Sequence, residues 1–242
     1  MSGALLEVAA VTKRFGGFVA LAEVSLSVRS GERLGVIGPN GSGKTTLINC
    51  ICGSLASDAG SIDFDGIDVS RLAPYQRTRI GIARSFQVPR PFSSMTLAEN
   101  VAVPLEYVAQ RQSPRRADVQ AEACSILAQM GLAEKADAPT GSLTQVDLRK
   151  LELARAIAVR PRLLILDEVM AGLSAVEVDE MLDIILALSR EGVTVMMIEH
   201  IMRAIMRFSE RVVCMDAGRV MAEGAPHQIV RDPDVQRIYL GV

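Results

Sequence analysis

Apolar residues in this chain come in short runs broken by polar turns, and the runs differ in period. Arg33-Leu-Gly-Val-Ile37, Leu163-Leu-Ile-Leu166 and Val193 to Ile198 are nearly continuous and bounded by polar or proline residues. Their length suits parallel strands buried on both faces. Val24-Ser-Leu-Ser-Val28 alternates instead, the period of a half-buried strand. Leu6 to Thr12 reads as an edge strand, Lys13 to Gly17 as a turn, and Phe18 to Leu21 as a return to extended chain. Ser61 to Phe64 is a further strand, and Asp65-Gly66 after it signals a hairpin. A second hairpin is expected where Arg211 to Met215 and Arg219 to Ala222 flank Asp216-Ala-Gly218. Helical spacing marks Thr46 to Cys52, Val119 to Met130, Leu148 to Ala158 and Ile201 to Phe208. It is clearest in Val176 to Ser189, with Val178, Met181, Leu182, Ile185 and Leu188 on one face.

Strands alternating with helices predict an α/β fold with a mostly parallel sheet. Between Pro89 and Gly141 the character changes: prolines stand at 89, 91, 104 and 114, and the remainder is alanine-rich. We expect a single domain over residues 1–242, with a core of about 1–88 and 157–242 and a small helical insertion at about 89–156. No apolar run reaches the roughly 18–20 residues that cross a bilayer, and the first residues lack the basic region and cleavage site of a secretory signal. The expected compartment is cytoplasmic. A net charge of −2 and a pI near 5.8 argue against a nucleic-acid partner, and the basic residues of Arg111 to Arg116 read as a solvated loop. The four cysteines, at 50, 52, 124 and 214, have no histidines at zinc spacing and read as reduced thiols.

One stretch carries explicit chemistry. Gly38, Pro39, Asn40, Gly41, Ser42, Gly43, Lys44 and Thr45, followed by Thr46, fit G-x-x-x-x-G-K-[ST]. Glycines let the backbone turn tightly enough to aim N–H groups at phosphates. Lys44 would add a positive charge at the β- and γ-phosphates, and the Thr45 hydroxyl would ligate Mg²⁺. A buried strand enters the loop and a helix start leaves it, so the positive end of the helix dipole points at the same place. Asp167 and Glu168 follow another buried strand, at the sheet edge where α/β proteins bind ligands. Asp167 suits a metal-bound water opposite Thr45, and Glu168 suits the activation of an attacking water. Gln87 and His200 also follow strands; Gln87 could ligate Mg²⁺ or orient water, and His200 could reach the γ-phosphate. The absence of an Asn-Lys-x-Asp guanine motif excludes a small GTPase.

Taken together, the loop at Gly38 to Thr45, Gln87 in Ser-Phe-Gln, Asp167-Glu168 and His200 resemble the ATP-binding-cassette ATPases, over essentially the whole chain. Phe15 in Lys-Arg-Phe-Gly-Gly stands where that family stacks an aromatic ring on adenine, and Ala171-Gly-Leu-Ser174 where it has its D-loop. Arg84-Ser-Phe-Gln87, Pro91-Phe92, Met170-Ala-Gly-Leu173, Glu199-His200 and Tyr239-Leu-Gly241 look most like the ATPases of branched-chain amino acid importers. The resemblance implies a P-loop NTPase (RecA-like) core with an antiparallel β subdomain and an inserted helical subdomain. It also implies ATP and Mg²⁺ as ligands and a homodimer, or a heterodimer with a related ATPase subunit, closing over two ATP molecules. Membrane permease subunits would dock near Gln87 and residues 89–103, with Phe92 or Tyr107 in the contact. An extracytoplasmic solute-binding protein would act indirectly, and the chain would sit peripherally on the cytoplasmic face of the membrane.

The family's signature segment aligns with Leu143-Thr-Gln-Val-Asp147. Thr144 keeps the hydroxyl that would cap the γ-phosphate held by the other subunit, while Gln145 and Val146 replace two glycines. Val146 is expected to crowd that approach, and Asp147 beside a triphosphate is unfavourable unless it turns away. Val169 replaces a proline common after the acidic pair. Two other readings stand beside the importer: a soluble cassette ATPase not linked to transport and, motivated only by Val146 and Asp147, an ATP-gated module with weak turnover.

Overall fold

The computed structural model describes residues 3–85, 89–109 and 116–240. Its first elements are β1 (Ala4–Phe15) and β2 (Phe18–Arg29), antiparallel partners joined at Gly16-Gly17. The strand therefore persists through Lys13 to Phe15, and only the two glycines turn. After β3 (Arg33–Ile37) and α1 (Lys44–Ile51), β4 (Ala59–Phe64) and β5 (Ile67–Asp68) form the hairpin expected around Asp65-Gly66. This sheet runs β2-β1-β4-β5. β1 is thus an inner strand, not the edge strand its short apolar pattern suggested. Its second neighbour, β4, arrives some fifty residues later, and alternation within β1 carries no trace of it.

Next come α2 (Pro74–Arg79) and β6 (Ile82–Arg84). The helical insertion contains α3 (Leu97–Ala109), α4 (Arg116–Gln129) and α5 (Gln145–Ile157). α3 holds Pro104 in its interior, and the proline obscured it in the sequence reading, because proline lacks the N–H that a helix interior uses. The chain then alternates: β7 (Leu163–Asp167), α6 (Ala175–Arg190), β8 (Thr194–Ile198), α7 (Met202–Phe208), β9 (Arg211–Asp216) and β10 (Arg219–Gly224). Two short helices not anticipated from the sequence, α8 (Pro226–Ile229) and α9 (Pro233–Leu240), follow.

The second sheet has the order β10-β9-β3-β8-β7-β6. β9, β3, β8, β7 and β6 are mutually parallel, and β10 is antiparallel to β9. This parallel sheet separates two cores. Leu164, Leu166, Val195, Met197, Val212 and Cys214 face the helices α3 to α7. Their sequence neighbours Leu163, Ile165, Met196, Ile198, Val213 and Met215 face α1 and the antiparallel sheet. Apolar side chains are needed on both faces, which is why these strands read as unbroken runs.

Arg77 in α2 is 2% exposed. Its guanidinium donates to the carbonyls of Cys50 at 2.6 Å, Ile51 at 2.8 Å, Leu72 at 3.0 Å and Ser70 at 3.1 Å. The first two are carbonyls at the C-terminal end of α1, where a cation also opposes the helix dipole. The far end of the helix that leaves the phosphate loop is pinned in this way. All four cysteines are free, and burial pushes the thiols of Cys52 and Cys214 up to about 11.

Candidate active site

β3 lies between β9 and β8, so its C-terminal end opens at the middle of the parallel sheet. The loop after Ile37 is seated against its neighbours without room for a side chain at Gly38 or Gly43. Gly38 has φ 152°, and a Cβ there would stand 2.3 Å from the Met215 carbonyl oxygen. Gly43 has φ 102°, and its Cβ would stand 2.7 Å from the Ala20 carbonyl oxygen. Only glycine accommodates both the backbone angle and the contact at Gly43. α1 begins at Lys44 with no side-chain cap and no acidic residue in its first turn, leaving its N-terminal N–H groups for an anion.

Lys44 is 6% exposed. Its Nζ donates to the carbonyls of Gly38 at 2.8 Å and Pro39 at 3.0 Å, with Ser42 Oγ at 3.4 Å. Burial depresses the ammonium below the usual lysine value, against the pull of Glu168 and Asp167. The ammonium is thus a buried cation held by the carbonyl dipoles of its own loop. Phe15, Thr46, Glu168 and residues 40–45 line one cleft of about 230 Å³. Phe18 shares it, opposite Phe15 in the β1–β2 register. Phe18 is not among the residues expected here, although two rings flanking a two-glycine turn are a signal of facing positions.

Asp167 ends β7, one strand beyond β8, and is 3% exposed. Its Oδ2 accepts from Arg84 Nη2 at 2.6 Å, while Arg84 Nη1 donates to Asn49 Oδ1 at 2.6 Å. Neither Arg84 nor Asn49 was selected from the sequence as a site residue. Glu168 follows with φ 51°, a left-handed conformation uncommon outside glycine, and its N–H donates to Ile198 O at 3.0 Å. The strained turn directs Glu168 into the cleft rather than back along the sheet. Its Oε1 accepts from His200 Nε2 at 2.8 Å, so the loops that follow β7 and β8 meet.

Glu199, beside His200, is 2% exposed and accepts the N–H of Met170 at 2.9 Å. Burial pushes its pKa up to about 7 from the ordinary 4.5; the Met170 hydrogen bond opposes this, nearby Glu168 adds to it, and Arg149 opposes it weakly. Because the folded value lies above the unfolded one, the folded chain holds a proton that the unfolded chain releases between pH 4.5 and 7. Stability therefore falls as pH rises through this window, by about 3 kcal/mol at about 1.4 kcal/mol per pKa unit. Glu199→Gln keeps an oxygen for Met170 and removes the charge. Urea midpoints should show the variant more stable than the native chain at pH 8 and equal to it near pH 4.5. The gain should stay below the full figure, because buried Arg149 loses a neighbouring carboxylate; a midpoint difference independent of pH would refute the assignment.

At the start of α5, Thr144 Oγ1 accepts from Asp147 N at 3.3 Å, and Asp147 Oδ2 accepts from Thr144 N at 3.2 Å, a reciprocal cap. Asp147 also receives Lys135 Nζ at 2.6 Å. Burial raises the pKa of its carboxyl, but hydrogen bonds from Lys135 and Thr144 outweigh this and hold it below the usual range. The carboxylate is thus turned onto its own helix cap and a lysine. The Gln145 amide lies against Gly172, 2.9 Å from where a Cβ there would stand. Among the described residues lining the cleft, Thr144 is not present. Gln87 lies outside the described residues.

A glycine loop between a central parallel strand and a helix, with an Asp-Glu pair ending the next strand but one, defines a P-loop nucleoside triphosphatase. The family model "ABC transporter" matches residues 21–171, and that of the branched-chain amino acid ATP-binding cassette transporter matches residues 219–242. The chain is 38% identical to the high-affinity branched-chain amino acid transport ATP-binding protein BraF of Pseudomonas aeruginosa, covering 100% of this chain and 99% of BraF. A crystal structure of the ADP conformation of an ATP-binding cassette of an ABC transporter superposes with a TM-score of 0.89 at 31% identity, covering 99% of this chain and 100% of that one. A dimeric cassette in a post-hydrolysis state, bound to ADP and phosphate, superposes at 0.83 with 26% identity over 91% of this chain and 98% of that one. The chain belongs to the ATP-binding cassette family of ABC transporters, as an ATP-hydrolysing subunit.

Proposed function

We propose that this chain powers the import of branched-chain amino acids or similar small polar solutes through separate permease subunits. One observation carries the reading: the match of residues 219–242 to the branched-chain transporter family, on a chain alignable end to end with BraF. Among the described residues no helix is long and apolar enough to cross a membrane, so the movement must be handed to another subunit.

The residues fit ATP and a hard cation. Lys44 and the uncapped start of α1 supply positive potential; a hydroxyl and a carboxylate, Thr45 and Asp167, are donors that suit Mg²⁺. Thr45, Asp167 and Gln87 would hold the ion, which supplies neutralisation of phosphate charge when bound. Phe15 offers a ring to the base, and the loop from Gly38 to Thr46 holds the phosphates. Glu168 accepts a proton from the attacking water, and His200 fixes the direction of the Glu168 carboxylate through their hydrogen bond. Thr144, capping α5 away from this cleft, faces the γ-phosphate held by a second ATPase subunit, and Val146 beside it narrows the approach. The helical subdomain at about 89–156 then moves with the partner site.

A groove of about 370 Å³ between α2, β6, α3 and α5 supports permease docking. Val103, Pro104 and Tyr107 line it, and Arg155 at its rim lies 4.9 Å from the Phe92 ring. The Tyr107 hydroxyl is buried without a hydrogen-bond partner. The test is uptake into proteoliposomes holding this chain and its permease subunits, with ATP on the side of this chain. Leucine delivered by its binding protein should accumulate and raise ATP turnover. Turnover raised by a different loaded binding protein would reassign the cargo, and turnover indifferent to the permease would overturn the transport reading.

A further inference from the structure

The Arg84 guanidinium joins two elements that the proposed metal site needs at a fixed separation. One arm reaches Asp167 at the end of β7; the other reaches Asn49 on α1, each at 2.6 Å. Asn49 stands four residues after Thr45, on the same face of that helix. The bridge thus spans from the helix face bearing the Thr45 hydroxyl to the strand end bearing the Asp167 carboxylate. Arg84 and Asp167 side chains are 14% and 4% exposed, so water does not substitute readily for either partner. By taking Oδ2, the guanidinium also fixes the plane of the carboxylate, and with it the direction of Oδ1. Arginine suits the task because its rigid planar fork holds two acceptors at once, whereas a lysine ammonium is a single point on a flexible stem.

We infer that Arg84 is a positioning residue of the metal site: it sets the Thr45–Asp167 separation and the rotamer of Asp167. This rests on the reading of Thr45 and Asp167 as holders of the divalent ion. A buried ion pair of purely structural value would stabilise the fold and leave metal affinity alone. The two roles therefore separate by measurement.

Mn²⁺ is titrated into the ADP-bound full chain, with free Mn²⁺ followed by its electron paramagnetic resonance signal. Fluorescent ADP is titrated separately in EDTA. Arg84→Met should weaken Mn²⁺ binding about 10–100-fold, the usual effect of removing a partner behind a metal ligand, with metal-free ADP binding unchanged. Arg84→Lys should recover part of the affinity, because it reaches Asp167 but does not hold Asn49 as well. Asn49→Ala keeps the Arg84–Asp167 pair and should shift Mn²⁺ affinity in the same direction by less. If Arg84→Met does not fold, the lysine and Asn49 variants decide. Unchanged or tighter Mn²⁺ binding in the folded variants overturns the proposal, as does an equal loss of metal-free ADP binding. A native chain that binds ADP and retains no Mn²⁺ overturns the metal reading of Thr45 and Asp167 and this inference with it. Native retention that the variants preserve sinks this inference alone.

Discussion

Glu168→Gln should bind ATP like the native chain and hydrolyse it about 10²–10⁴ times more slowly, the usual contribution of one acid–base group. The substitution keeps size and shape, and the amide oxygen still accepts from His200 Nε2, now at 2.8 Å from the carboxylate. The left-handed backbone at residue 168 is unchanged in its demand, since glutamine and glutamate share a Cβ. What disappears is the basicity that removes a proton from water. Phosphate release in a single turnover, beside equilibrium binding of a fluorescent ATP, separates the two effects. Native turnover in the variant would take Glu168 out of the reaction. Equal losses of binding and turnover would make it a positioning group instead.

Lys44→Ala should lose most ATP affinity. A hydrogen bond to a charged group contributes about 1.5–3 kcal/mol, or roughly 10–150-fold in Kd. The loss should fall on the triphosphate more than on adenosine, because the ammonium sits at the phosphate loop and not at the Phe15 end of the cleft. Without ligand, the variant sheds a buried and unfavourably desolvated cation but leaves the Gly38 and Pro39 carbonyls without their donor. The readout is therefore the rise in Tm on adding ATP, which measures binding to the folded state. The native chain should show a clear rise and the variant little or none at the same ATP concentration. An equal rise in both would end the assignment of this loop to phosphate.

The glycine loop between β3 and α1 was legible because its parts are contiguous. The residues from Gly38 to Thr45 follow one another without a gap, so the pattern can be read without the rest of the chain. The buried strands were legible too, since a strand covered on both faces must be apolar at every position, as Leu163 to Leu166 are. The site of Glu168 was legible as a position at a strand end, but not its left-handed backbone or its bond to His200. Asp147 beside a triphosphate is unfavourable in the sequence alone; Lys135, twelve residues earlier, holds its carboxylate.

The sequence by itself determined the parallel α/β core, the phosphate loop and the acidic pair, because each depends on a local period or a contiguous motif. Tertiary structure alone decided that β1 is an inner strand, that Phe18 faces the cleft beside Phe15, and that Arg84 ties Asp167 to α1. Arg84 finds Asn49 and Asp167 at sequence separations of 35 and 83 residues. Such contacts are set by which strands lie side by side in the sheet, and hydrogen bonding between strands leaves no mark on the order of residues within either one.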